Sequence, residues 1–290
     1  MLIVILVFAG LCFGSFVNAL VWRVHEQSLV ASRKSKSRNK KTSDKKLATS
    51  NLQNLSILKG RSMCTHCHHI LAAKDLIPVL SWVELAGKCR YCGKKIEDTP
   101  VAEVLTALLF VISYLWWPMN FNMMGKVNFI AWLVVLVGFV ALLIYDLRWM
   151  LLPNRIVYPL IVFAAIIALL NITVYGGGLA LARDLSISIL VAGGIFYGLF
   201  QISKGKWIGG GDVKLGFLIG ILVAKPLHAF LVLFLASLIG TLVIVPGILT
   251  KKLNAKSHIP FGPFLIIATV IVMLFGASIV TWYRKKFLLY

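Results

Sequence analysis

Long apolar runs alternate with short polar breaks along this chain, and one break is far longer than the others. The apolar stretches lie at 1–22 and then at about 101–118, 127–145, 156–174, 184–202, 213–224, 227–249 and 262–283. Most approach the ~20 residues that a helix needs to cross a hydrocarbon core. The run 213–224 is short and must lean on its neighbours or draw on the glycines before it. The opening run has no basic n-region and no small-residue cleavage site, so it reads as a retained membrane helix rather than a secretory signal. It contains Gly14-Ser15-Phe16-Val17-Asn18 and ends at Trp22-Arg23, an aromatic and basic anchor for the interface. The pattern predicts an all-α polytopic membrane protein with about eight transmembrane helices.

Composition agrees: 59% of the 290 residues are hydrophobic and 14% charged, against roughly a quarter charged in soluble domains. The net charge of +20 raises the question of nucleic acid, but its distribution argues against that partner. About half of the 30 basic residues fall between Arg23 and Lys95, and no apolar run carries a basic stripe. Such clustering marks a cytoplasmic loop. That orientation puts the N-terminus outside and Arg148, Arg155, Lys204 and Lys206 inside. Lys126, Arg183, Lys225 and the Arg284-Lys285-Lys286 cluster fall outside, the last against the rule. The division expected is a first helix at 1–22, a basic linker at 23–60, a cysteine-bearing region at 61–100 and a multi-helix membrane domain at 101–290. Within the linker, 26–60 is rich in Ser, Lys, Arg, Asn and Thr with almost no aromatics; it lacks the apolar surface to fold, and its cations suit anionic lipid.

Four of the five cysteines form two C-x-x-C pairs in the region 61–100, Cys64 with Cys67 and Cys89 with Cys92, with 21 residues between the pairs. In a reducing cytoplasm such thiols bind metal rather than pair as disulfides. Two knuckles can offer four thiolates tetrahedrally to zinc, just beyond the usual ribbon spacing. The expectation is a small cytoplasmic zinc-ribbon-like insertion, with four cysteine ligands, between the first and second helices. His66, His68 and His69 are left to solvent, and Cys12 reads as a small hydrophobe.

Candidate chemistry rests on two acids. Asp146, in Tyr145-Asp146-Leu147, ends one apolar run; Asp212 opens another behind Gly209, Gly210 and Gly211 and before Lys214. A charged carboxylate near hydrocarbon costs several kcal/mol by most estimates. In the topology above both acids lie on the cytoplasmic side at one depth. Two close carboxylates share one proton. The ionised one can then take a proton from an attacking water while the other hydrogen-bonds the substrate carbonyl. The glycines let backbone approach an extended substrate and adopt positive φ. Structural alternatives stand beside this reading. Asp212 suits an N-cap, and Asp146 suits an interfacial acid paired with Arg148. Asp184 with Arg183, and Glu103 after Pro100, suit helix ends. A non-enzymatic alternative is an ion or proton transporter using the two aspartates.

Taken together, these residues resemble the bacterial type IV prepilin peptidases (leader peptidase/N-methyltransferase), membrane aspartic proteases with a G-x-G-D pattern. The resemblance covers nearly all of the chain except 26–60. It runs through Gly14 to Asn18 with Arg23, the two cysteine pairs, Asp75 to Trp82, Gly87 to Cys92, and Pro100 with Glu103. It continues through Asp146 with Leu152-Pro153-Asn154, Gly209 to Leu215, and Ile259-Pro260-Phe261-Gly262-Pro263. It implies cleavage of type IV prepilin or pseudopilin leaders at the cytoplasmic face of the bacterial inner membrane, just before the hydrophobic helix. It implies Asp146 and Asp212 as the catalytic pair. It also implies N-methylation of the new N-terminus with S-adenosylmethionine, and links Gly14, Ser15, Asn18, Arg23 and Glu103 to that step. Thr65 and His66 depart from the family, standing where the first knuckle commonly reads Pro-x, and no glycine-rich nucleotide fold for the methyl donor is visible. A presenilin-like intramembrane protease is the enzymatic alternative; it would require a Pro-Ala-Leu motif in a late helix, where this chain has Ile259-Pro260-Phe261.

Overall fold

The computed structural model describes residues 1–36, 60, 62–67, 69–96, 99–174, 178–250 and 260–287. Among them the chain is helical, with no strand longer than an isolated bridge. Two compact units divide within one helix, Met1–Ile112 and Ser113–Tyr290.

In the first unit, α1 (Leu2–Lys36) runs well past the expected end at residue 22. The reason is legible in its packing: the buried face Val17, Val21 and Val24 continues at helical spacing to Gln27, so the chain has no cause to unwind at Trp22. The rest of the expected linker, 37–59, lies outside the described residues. Helix α1 packs closely on α3 (Val101–Leu115). A Cβ on Gly10 would lie 2.8 Å from the Ala107 nitrogen, and one on Gly14 would lie 2.6 Å from the Ala102 carbonyl oxygen. This is the small-residue spacing that lets membrane helices touch backbones. Between these helices come two knuckles, a 3-10 turn (Ala73–Leu76) and the short α2 (Leu80–Glu84).

The second unit holds α4 (Met123–Trp149), α5 (Asn154–Val174), α6 (Gly178–Ser203), α7 (Gly210–Val223), α8 (Pro226–Leu249) and α9 (Gly262–Phe287). Among the described residues six helices are long and apolar enough to cross a membrane: α1, α4, α5, α6, α8 and α9. Helices α3 and α7 are shorter than the other spans. At 1.5 Å per residue α7 is about 21 Å long, less than a ~30 Å hydrocarbon core. It is accommodated because it packs against α5, α6, α8 and α9, with Leu215, Leu218 and Ile219 fully buried.

The α6–α7 contact is the tightest of these. Helix α6 widens into a π turn at Leu190–Gly194, and Gly216 and Gly220 of α7 face it. A Cβ on Gly220 would lie 2.7 Å from the Ile189 Cα, and the Ser188 hydroxyl donates to the Gly220 carbonyl at 2.8 Å. Overpacking such a contact costs about 1–3 kcal/mol. Gly220→Val is therefore expected to lower the thermal midpoint of the detergent-solubilised protein by several degrees. Gly198→Ala, where no atom lies within 4 Å of the added Cβ, is expected to leave it unchanged or raise it.

Candidate active site and metal centre

Asp146 occupies the last turn of α4. Met150 closes that helix in the left-handed conformation (φ 53°), its N–H donating to the Asp146 carbonyl at 2.8 Å. The C-terminal end of a helix carries the negative pole of its dipole and is a poor place for an anion, yet Asp146 is only 4% exposed. The compensation comes from another helix. The N–H of Gly262, first residue of α9, donates to the Asp146 carboxylate. First-turn N–H groups have no acceptor inside their own helix, so this bond satisfies both partners.

Asp212 meets the same glycine. A Cβ on Gly262 would collide with Asp146 Oδ2 and lie 3.8 Å from Asp212 Oδ1. Asp212 is the third residue of α7 and half-buried, with Gly209 as N-cap (φ −71°, ψ 145°). The Gly209 N–H donates to the Asp212 carboxylate, and the Asp212 N–H donates back to the Gly209 carbonyl at 3.1 Å. The N-cap alternative thus falls to Gly209, and Asp212 sits one turn inside. Both carboxylates face helix N-termini and converge on one side-chain-free position.

Gly209, Gly210 and Gly211 do not adopt the positive φ expected of them: Gly209 is extended and the other two begin α7. Of the three, Gly211 is the one required for close approach; at Gly209 and Gly210 an added Cβ would meet nothing nearer than 3.5 Å. Gly211 admits Leu152, whose Cβ would lie 3.0 Å from an added Cβ, and so seats the α4–α5 loop against α7. The left-handed glycine is Gly205 (φ +74°), in the turn before. Lys214 is directed away from the acids: its Nζ donates to Asn154 Oδ1 at 2.7 Å and lies 5.4 Å from the Tyr158 ring centre. It ties the start of α5 to α7. Asp184 and Arg183 pair at 3.1 Å on the exposed surface of α6.

In the first unit the four expected cysteines come together. Antiparallel bridges Met63↔Ile70 and Lys88↔Lys95 fold each C-x-x-C into a tight turn. Cys64 N–H bonds the His69 carbonyl at 3.0 Å, and Cys89 N–H bonds that of Lys94 at 2.8 Å. All four sulfurs lie within 4.8 Å of one another, with Cys64 and Cys92 3.9 Å apart. A tetrahedral zinc site with Zn–S of ~2.3 Å requires sulfur separations of about 3.8 Å, so the donor set fits the metal. His66 and His69 are not in the cluster, and His68 lies outside the described residues. The thiols also affect one another's protons. Burial opposes ionisation of Cys64, but N–H bonds from Cys67 and His66 and neighbouring thiols bring it down to about 7. Cys92, despite a hydrogen bond from the Lys94 N–H, is pushed up to about 11 by burial and the other three thiols. Four such groups lose their protons together only to a cation.

Behind the knuckles a cavity of about 160 Å³ is lined by Ser15, Asn18, Arg23, Trp82 and Glu103, among others. Four of the five residues linked to methyl transfer by resemblance thus share one cavity; the fifth, Gly14, lies beneath it against the backbone of Glu103. Glu103 is buried, accepting the Val79 N–H at 2.5 Å and the Ser15 hydroxyl. Arg23 donates to the Gly60 carbonyl at 2.9 Å, and Asn18 to that of Thr99 at 3.4 Å. The buried indole N–H of Trp82 finds no acceptor among the described residues.

Two family models match the chain: the bacterial Peptidase A24 N-terminal domain over residues 8–117, and the type IV leader peptidase family over 132–245. A prepilin leader peptidase/N-methyltransferase of Bacillus subtilis is 32% identical over 235 residues, covering 80% of this chain and 88% of that protein. The chain belongs to the type IV leader peptidase family. Another relative of that description, from Aeromonas hydrophila, is 33% identical over 80% of this chain and 78% of its own. A third, from Stutzerimonas stutzeri, is 27% identical over 95% and 91%. No solved structure matches.

The sequence places Gly262 only within a motif, and does not mark it as a residue of the candidate site. The available signal was its place between Phe261 and Pro263 at a helix start, where an N–H is free and a side chain absent. Asn154, the partner of Lys214, was passed over in the same way.

The thiol arrangement sets a pH dependence. Zinc binding requires the thiolates, so protonation competes with it and affinity falls as pH falls. Titrating the zinc-loaded protein from pH 8 to pH 5 against a chromophoric chelator is expected to release metal progressively, and Cys89→Ser to release it at higher pH than the parent chain.

Proposed function

We propose that this chain is a membrane aspartic endopeptidase that removes the cytoplasmic leader of type IV prepilins or pseudopilins just before their hydrophobic helix. The observation that carries the reading is the convergence of Asp146 and Asp212 on Gly262. Two carboxylates at one position share a proton between them. The ionised one takes a proton from a water between them as its oxygen, gaining hydroxide character, attacks the scissile carbonyl, whose oxygen accepts a hydrogen bond from the protonated partner. Proton return to the leaving amine restores the pair. The assignment of Asp146 and Asp212 as catalytic, with Gly209 to Gly211 and Lys214 shaping their loop, rests on this geometry and the family resemblance. The enzyme would sit in the bacterial cytoplasmic membrane with this site toward the cytoplasm, where a polar leader meets its membrane helix.

The same reading extends to N-methylation of the newly exposed N-terminus. S-adenosylmethionine, when bound, supplies an electrophilic methyl group on a sulfonium cation. The cavity of the first unit carries both charges and suits a zwitterionic, hydrogen-bonding ligand: Glu103 offers a buried carboxylate, Arg23 a guanidinium, Trp82 an N–H in want of an acceptor, and Asn18 an amide. Zinc on Cys64, Cys67, Cys89 and Cys92 would be structural, since four protein thiolates leave no open position for substrate.

Purified protein incubated with a prepilin, with and without S-adenosylmethionine, is expected to yield by mass spectrometry a leaderless product and, with the methyl donor, a product one methyl heavier. Asp146→Asn and Asp212→Asn are each expected to lower cleavage at least about 10³-fold, while zinc content stays at the parent level. Gly262→Ala, which displaces Asp146 without removing an acid, is expected to lower cleavage about 10²-fold. Retention of normal cleavage in either aspartate variant would refute the assignment. Cleavage within the substrate's hydrophobic helix would favour the presenilin-like alternative, and proton flux without cleavage the transporter.

A further inference from the structure

The Asp75 side chain is only 3% exposed and is fully engaged. It accepts from Arg90 Nε at 2.8 Å, the Tyr91 hydroxyl at 3.0 Å and the Ala72 N–H at 3.2 Å. Burial opposes its charge, yet the donors outweigh burial and hold its carboxyl below the ordinary range. Two of those donors come from inside the second knuckle, because Arg90 and Tyr91 are the residues enclosed by Cys89 and Cys92. Arg90 also reaches Glu84 at 3.1 Å. The Tyr91 ring stacks at 3.7 Å on His69, from the first knuckle. What the four sulfurs hold, Asp75 therefore feels directly.

Downstream of Asp75 the chain is fixed a second time. Val79 adopts φ 59°, ψ −49°, a conformation that a β-branched residue avoids and that costs about 1–3 kcal/mol. Its N–H donates to Glu103 on α3. The segment from Asp75 to Trp82 is thus stretched between the knuckle and α3, and Asp75, Leu76, Val79, Ser81 and Trp82 form one wall of the cavity. Backbone strain persists only where the surroundings over-determine it; here the anchors are Asp75 at one end and Glu103 at the other.

We propose that Asp75 is a positioning residue that transmits the metal-held conformation of the Cys89–Cys92 knuckle to the wall of the cavity. Metal occupancy then sets the affinity for the methyl donor from a distance. This rests on the assignment of the cavity to S-adenosylmethionine.

The test is a cycle between zinc and Asp75 in the full chain, read by equilibrium dialysis of labelled S-adenosylmethionine rather than by turnover. In the zinc-loaded state Asp75→Ala is expected to weaken binding about tenfold, within the usual range of coupling between sites, while retaining the parent zinc content. Stripping zinc from the parent chain is expected to weaken binding by a similar factor. Stripping it from Asp75→Ala is expected to change little, because the coupling is already cut. Arg90→Ala is expected to resemble Asp75→Ala, with the double variant no worse than either. Unchanged binding in Asp75→Ala, loss of its zinc, or an undiminished effect of zinc removal in that variant would each overturn the proposal. A zinc-loaded parent chain that binds no S-adenosylmethionine would instead overturn the cavity assignment, and this proposal with it.

Discussion

The candidate site of the second unit is built on one contact, between the N–H of Gly262 and the carboxylate of Asp146. It joins the negative end of one helix to the positive end of another and lets an acid survive where burial and the α4 dipole both oppose its charge. The bond also fixes distance. Because glycine brings no Cβ, α9 approaches until Asp146 and Asp212 flank the same point. A donor and an empty volume are supplied by a single residue, and no side chain does both.

In the first unit the corresponding constraint is the four-thiol cluster. The segment between α1 and α3 has little core of its own: among its described residues, Cys64 and Cys89 are the buried hydrophobic ones. A segment this small does not hold a defined shape by burial alone, and its four clustered thiols form the donor set through which a bound metal would supply what packing lacks. Asp75, Arg90 and Tyr91 then extend that order outward by hydrogen bonds. Each unit thus uses short-range polar contacts to fix its own candidate site.

Much of this was legible in the sequence because the signals are local. Apolar runs mark helices by length, and two C-x-x-C pairs announce their own geometry. Asp146 and Asp212 stand out because acids at the ends of such runs are rare. The end of α1 was misread because the change in composition at Trp22 is louder than the helical spacing that links Val21 to Val24 and Gln27. The glycines before Asp212 were read for positive φ and for close approach of a substrate; the structure shows no positive φ there and uses Gly211 for close approach of Leu152. Gly262 and Asn154 were passed over for a different reason: their significance lies in which distant residue each one meets, and a single sequence does not encode that meeting locally.

The short α7 has a consequence for where Asp212 sits. Ringed by α5, α6, α8 and α9, it has no independent purchase on the bilayer. Its elevation along the membrane normal is inherited from longer companions that tilt to match the lipid. Asp212 therefore travels with the bundle when membrane thickness changes, rather than sinking or rising on its own. The height of Asp212 is thus registered to the protein's outer girdle rather than to the lipid.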